Sequence, residues 1–269
     1  MHDSAMDKFQ VFLDAYLKDC AGGPLAVLDV GSCAIGGPET GTHRAAIEAR
    51  GWTYRGADIT AGPNVDVVLA DGYNWREIDS DSCDVVLCSQ VLEHTRYPWR
   101  VVQEIARVLR PRGLAFLAAP SAGHVHRYPE DCFRYYPDGL PALAHASGLT
   151  VVDANVQRRP VYRSNIWYDA VAVLQKPELP AAEAGRWTAR RQLSGLALRE
   201  NVGPADLAAV SFAPHEAAPS RIATIAPRTG PGAFENRDAE LARAADPLRR
   251  VLNVRRHVSA ALKALTRPV

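Results

Sequence analysis

Two stretches of this chain concentrate side chains able to move protons. The first is SQVLEH at 89–94, where Glu93 and His94 follow the pair Ser89-Gln90. The second is GHVHRYPEDCFRYYPDGL at 123–140, which gathers His124, His126, Arg127, Asp131, Arg134 and three tyrosines, Tyr135 among them. Histidine titrates near neutral pH and can take a proton from a hydroxyl, the help a weak oxygen nucleophile needs. Tyrosine offers a flat apolar face with a polar tip, and Asp and Arg give directional hydrogen bonds. That mixture suits a polyhydroxylated molecule. His124 and His126 alternate, so on extended backbone they could share a metal, but the sequence shows no third ligand. Plainer roles stay open: Glu93-His94 could cap the next helix, and Arg134 could pair with Asp131 as a structural clamp.

Other polar groups stand where short apolar runs end. Residues 27–37 read VLDVGSCAIGG, placing Asp29, Gly31 and Ser32 at a small-residue turn. Backbone N–H groups in such a turn can face an anion or a carboxylate, although Asp29 could simply cap it. GADIT at 56–60 supplies Asp58, 27 residues after Gly31, where an acid can accept both hydroxyls of a ribose. LADGYNW at 69–75 supplies Asp71-Gly72, able to accept from an exocyclic amine or to serve as a turn acid. A nicotinamide dinucleotide needs a tight G-x-G-x-x-G turn to approach its pyrophosphate. Cys33 stands where the second glycine would be. S-adenosylmethionine has no pyrophosphate and tolerates a looser turn, so Cys33 favours it.

The elements that position these groups follow from hydrophobic spacing. Phe9, Phe12, Leu13, Tyr16 and Leu17 fall on one helical face and predict a helix over 6–19. A continuous apolar run predicts a buried strand at 25–30, and strand-like runs predict others at 53–59, 65–71, 84–90 and 114–120. Helices are expected at 39–50, 99–109 and 140–147, the second stopped by Pro111-Arg112-Gly113. Two further strands are expected at 149–156 and 166–176, joined by a link too short for a crossover helix and hence antiparallel. The alternation predicts an α/β fold: a seven-stranded, mostly parallel sheet with helices on both faces and the last strand antiparallel. Residues 1–178, opening with an N-terminal helix within 1–22, read as one domain and 179–269 as a C-terminal extension. Within the extension, 221–227 could be a strand and 245–265 a basic helix; the whole could be a lid or an oligomerisation element.

Composition excludes several classes. The 269 residues are 47% hydrophobic and 23% charged, with a formal net charge of +1, so no global field points to nucleic acid. No apolar run is long enough to span a bilayer, and the polar N-terminus does not read as a signal peptide. Five cysteines, odd in number and without a C-x-x-C pair, fit a reducing compartment and suggest the cytoplasm.

The ordered set VLDVGS, GADIT, LADGYNW, DVVLCSQVLEH and VLRPRGLAFLAAPS resembles class I S-adenosylmethionine-dependent methyltransferases of Rossmann-like fold, nearest to small-molecule and sugar O-methyltransferases. The resemblance covers roughly residues 20–176. It implies that Asp29, Gly31 and Ser32 line the methionine end of the cofactor, and that Asp58 binds the ribose. It also implies that Ile59 packs on the adenine beside Asp71-Gly72, and that Ser89 and Gln90 flank the methionine and sugar. The 123–140 segment resembles an H-x-x-P-x-D-x-x-R-x-x-P-x-G-L element of methyltransferases in glycan and nucleotide-sugar pathways. On that likeness His94 is the leading base, with His126 and Asp131 behind it. Glu93, His124, Arg134 and Tyr135 then shape the acceptor pocket. Some such enzymes use Mg²⁺ held by carboxylates, and Asp131 is the nearest candidate. The expectation is an O-methyltransferase acting on a carbohydrate or glycosylated metabolite, a homo-oligomer if the extension self-associates. The alternatives are a methyltransferase for a non-sugar small molecule and an inactive methyltransferase-like binding subunit.

Overall fold

The computed structural model describes residues 3–20, 23–35, 42–157 and 166–245. Helix α1 (Asp3–Phe12) continues as a π-helical turn (Leu13–Leu17), and its buried Phe9, Phe12, Leu13 and Leu17 are the face that the spacing defines. Then follow β1 (Ala26–Val30), α2 (Arg44–Glu48), β2 (Thr53–Asp58), β3 (Val67–Val68) and β4 (Cys83–Ser89). A short 3₁₀ turn (Leu92–His94) leads to α3 (Pro98–Val108), β5 (Leu109–Ala119), α4 (Gly139–Ser147), β6 (Thr150–Val156) and β7 (Ala170–Gln175). The extension adds α5 (Ala181–Leu196), α6 (Pro204–Ala208) and α7 (Ala233–Ala245).

The seven strands form one sheet in the order β3-β2-β1-β4-β5-β7-β6. All neighbours up to β5 are parallel, while β7 runs antiparallel to both β5 and β6. Strand order reverses between β1 and β4, and crevices outside the carboxyl ends at such a reversal take ligands. Because β7 runs backwards, its first residues arrive at that same edge. Apolar clusters fill both faces, one built with α3 and α4 and the other with α1 and α7. The central strands β1, β4, β5 and β7 are buried on both sides, which is why they read as continuous apolar runs rather than alternating ones, whereas β2, β3 and β6 carry exposed or half-buried positions.

Several expectations shift. The helix expected at 39–50 is limited to Arg44–Glu48 among the described residues. Strand β5 begins at Leu109, so Pro111-Arg112-Gly113 lies within it, where the pairing with β4 slips register and Arg112 takes φ 66°. Strand β7 starts at Ala170 rather than 166, because residues 166–169 bend over the ligand edge. Segment 221–227 is no strand: its backbone bonds the side chain of Gln175 through Ala223 and Ile225, and Ile222 drops into the core. The basic helix expected at 245–265 lies, beyond Ala245, outside the described residues. The described part of the extension packs on the sheet domain. Arg191 of α5 pairs with the buried Glu104 of α3, Trp187 donates to the Ser147 carbonyl, and Phe234 of α7 stacks near Tyr16 and Phe116.

Candidate active site

At the end of β1, Gly31 takes φ 73°, and a Cβ built there would lie 2.2 Å from Cγ2 of Val91. Only glycine holds this left-handed turn while the β1 and β4 ends touch. Ser32 closes the turn from below, donating its hydroxyl to the Asn64 carbonyl and receiving the Asn64 side-chain amide at its own carbonyl. Asp29 is buried. Its Oδ2 accepts from the Tyr54 hydroxyl at 2.6 Å and lies 3.0 Å from His43 Nδ1, so here it holds those two rings. Burial, with Asp29 beside it, pushes the Tyr54 phenol far up. Sequence reasoning missed His43 and Tyr54, which lie far from the motif glycine in the chain.

Asp58, at the end of β2, accepts the Cys33 amide at 3.1 Å and the Thr60 amide at 3.0 Å. Each oxygen keeps a lone-pair site for a hydroxyl, since a carboxylate accepts at about four positions. Ile59 next to it is 55% exposed, and a Cβ on Gly72 would meet its Cγ2 at 3.3 Å. An exposed flat aliphatic patch beside an anchored acid, behind a glycine turn, fits an adenosine. Asp71 forms the turn suggested as its plainer role, accepting the Tyr73 amide at 2.7 Å. Ser89 is buried at the end of β4. Gln90 adopts φ 60°, unusual for a residue with a side chain, and donates to Asp169 at the head of β7. That carboxylate also meets Lys8 and Ser4 of α1, which closes this side of the crevice.

One strand end further on, the two proton-handling stretches come together. The rings of His94 and His126 lie 4.8 Å apart, edge to face. His94 Nδ1 is 2.6 Å from the Glu130 carbonyl, which can only accept. Nδ1 therefore carries the hydrogen and Nε2 carries the lone pair. Burial lowers the His94 pKa from its ordinary value, against the pull of the Glu130 carbonyl. His126 packs on Trp167 at 4.5 Å, with His124 behind it at 5.0 Å from the same indole. Tyr128 stands 5.9 Å from His94 and is exposed. Neither Trp167 nor Tyr128 stood out in the sequence, because the first sat in an apparent strand and the second in an aromatic-rich loop.

Asp131 and Arg134 form the clamp considered above. The guanidinium takes both carboxylate oxygens and also donates to the His124 carbonyl, while the His126 amide donates to Asp131 Oδ2 at 2.7 Å. This pairing holds the Asp131 carboxyl well below the usual range. Oδ2 thus accepts two hydrogen bonds and Oδ1 one, which spends most of the Asp131 carboxylate on holding the loop. Tyr135 is turned into the core, its hydroxyl donated to the Leu92 carbonyl, and it supports the loop from beneath. Glu93 is fully buried, and its carbonyl accepts the Cys132 and Phe133 amides, tying the loop to β4. Burial pushes its carboxyl up to about 8.

The strand order and the single antiparallel strand define a Rossmann-like sheet of the kind found in methyltransferases. Residues 35–117 match the family described as Methyltransferase domain. An uncharacterized methyltransferase of Mycobacterium sp. (strain KMS) is 40% identical over 116 residues, covering 38% of this chain and 43% of that protein. The chain thus matches less than half the length of that relative. A thiol S-methyltransferase of Mus musculus is 45% identical over 49 residues, 18% of this chain and 20% of that one. A crystal structure of Burkholderia thailandensis 1,6-didemethyltoxoflavin-N1-methyltransferase, with 1,6-didemethyltoxoflavin and S-adenosylhomocysteine bound, superimposes with TM-score 0.50 at 20% identity. The match covers 65% of this chain and 80% of that one and bears on the fold. No helix among the described residues is long and apolar enough to cross a membrane.

Proposed function

We propose that the chain is an S-adenosylmethionine-dependent methyltransferase (EC 2.1.1) that methylates a hydroxyl of a carbohydrate or glycosylated metabolite. One observation carries the reading. The adenosine-fitting turn of Gly31, Asp58 and Ile59 and the imidazole pair of His94 and His126 occupy adjacent strand ends on one edge of the sheet. Bound there, S-adenosylmethionine supplies an electrophilic methyl on a sulfonium. Asp58 holds the ribose hydroxyls, Ile59 covers the base, and Ser89 and Gln90 flank the amino-acid end. Nε2 of His94, which carries the free lone pair, would take the proton of an acceptor hydroxyl placed beside that methyl. Asp131 and Arg134 position His126 and the loop, and the exposed face of Tyr128 stacks on the acceptor ring.

Calorimetric titration of the wild type and Asp58→Ala with S-adenosylmethionine and its demethylated product tests the first half. The expected result is micromolar binding that weakens at least tenfold in the variant. No binding by the wild type refutes the reading. Turnover on a sugar panel, lost in His94→Ala with cofactor binding intact, tests the second half. The proposal extends to self-association through residues 179–269, checked by light scattering, and to work in the cytoplasm, checked by fractionation.

A further inference from the structure

The carboxyl of Glu93 has a role still unassigned. It is wholly buried, and neither oxygen has a hydrogen-bond partner. Buried polar groups in folded proteins nearly always have one. What faces it is not a donor but a second lone pair: His94 Nε2 lies 3.6 Å from Glu93 Oε1. One ligating atom each from Glu93, His94 and His126 all fall within 4.8 Å of one another. Donors set about 2.0–2.1 Å from a tetrahedral ion stand about 3.4 Å apart. The Glu93–His94 edge, at 3.6 Å, is therefore close to that spacing, and His126, whose side chain is partly exposed, is the ligand that would have to draw in.

The surroundings are those of ligands. Histidines that hold metals donate their other ring nitrogen to a carbonyl or carboxylate. His94 Nδ1 meets the Glu130 carbonyl at 2.6 Å in this way, while His126 Nδ1, buried without a hydrogen-bond partner, has Asp131 Oδ2 3.5 Å away.

We propose that Glu93, His94 and His126 bind a first-row transition-metal dication such as Zn²⁺ or Co²⁺. Two imidazoles and one carboxylate suit these ions and not the oxygen-seeking Mg²⁺ or Ca²⁺. Three protein donors leave a coordination position for water or for an acceptor oxygen. The inference rests on the proposed function in one respect: the ion takes the lone pair that His94 would use as base, so a bound ion inhibits methyl transfer.

The test uses the full chain stripped with chelator, titrated with Co²⁺ by visible absorption and with Zn²⁺ by calorimetry. The expected result is one equivalent bound, weakened at least tenfold in Glu93→Gln and in His126→Ala, with circular dichroism and melting confirming that both variants fold. His215→Ala, remote from the site, retains wild-type binding. Absence of stoichiometric binding, or binding undiminished in both site variants, overturns the proposal. Cofactor titration is run on the same samples. An ion bound without any cofactor affinity sinks the methyltransferase reading and upholds the metal site. Cofactor affinity without ion binding does the reverse.

Discussion

Replacing Gly31 by alanine tests whether the contact between the β1 and β4 ends governs the turn that follows β1. The residue sits at φ 73°, and forcing a Cβ into the left-handed region costs about 1–2 kcal/mol. The same Cβ would stand 2.2 Å from Val91 Cγ2. Valine is stiff about χ1, so the clash is relieved by backbone movement and adds about 1–3 kcal/mol. Together these give a loss of about 2–5 kcal/mol, which a domain with about 5–15 kcal/mol of stability survives. Val91→Ala alone removes a half-buried side chain and costs about 1 kcal/mol. In the double variant the clash is gone and only the backbone strain remains, so the two changes couple by about 1–3 kcal/mol. Urea unfolding of the wild type, both singles and the double measures the cycle. A Gly31→Ala cost below about 1 kcal/mol, or a coupling below about 0.5 kcal/mol, would refute the argument.

Three further outcomes follow from the same geometry. Partial burial pushes the Asp66 carboxyl up, but the Gly56 amide and Arg44 guanidinium hold it, on balance, below its ordinary value. The unfolded chain takes the proton first, so the stability advantage of wild type over Asp66→Asn is present at pH 7 and disappears as pH falls below about 4, read by melting across pH. Arg191→Ala strips one partner from the buried Glu104 but leaves Arg107, and is expected to cost about 2–3 kcal/mol and to loosen α5, read by hydrogen exchange in 181–196. Tyr135→Phe removes a buried hydrogen bond and should cost about 1 kcal/mol of stability while leaving the acceptor KM unchanged; a raised KM without destabilisation would return Tyr135 to the acceptor pocket.

The sheet was legible because its central strands are buried on both faces and the early strands end in marked turns. Asp29, Asp58 and Asp71 could be located from their runs alone. What those acids touch could not, since Tyr54 and His43 reach Asp29 from other elements. Segment 221–227 alternates like a strand, yet it binds through the Gln175 side chain rather than a ladder. Helix α5 escaped notice because ionic and indole contacts by Arg191 and Trp187 seat it, and no wide apolar stripe marks it. In the site, the sequence showed the residue types of SQVLEH and the histidine-rich loop. Its spacing alone could not show that Glu93 is sealed from water, that Asp131 is spent on Arg134, or that Trp167 bends back to meet His126.

Glu104 divides its two oxygens between distant parts of the molecule. Oε1 accepts from Arg191 of α5, while Oε2 accepts from Arg107 and from the amide of Trp75, whose indole N–H is donated to the Gly72 carbonyl. One carboxylate therefore joins the helix of the extension to the turn that carries Asp71. Prising α5 away would therefore strip a partner from the same carboxylate that holds the Trp75 amide, so the seat of the helix and the backbone of the 71–75 turn share one anchor.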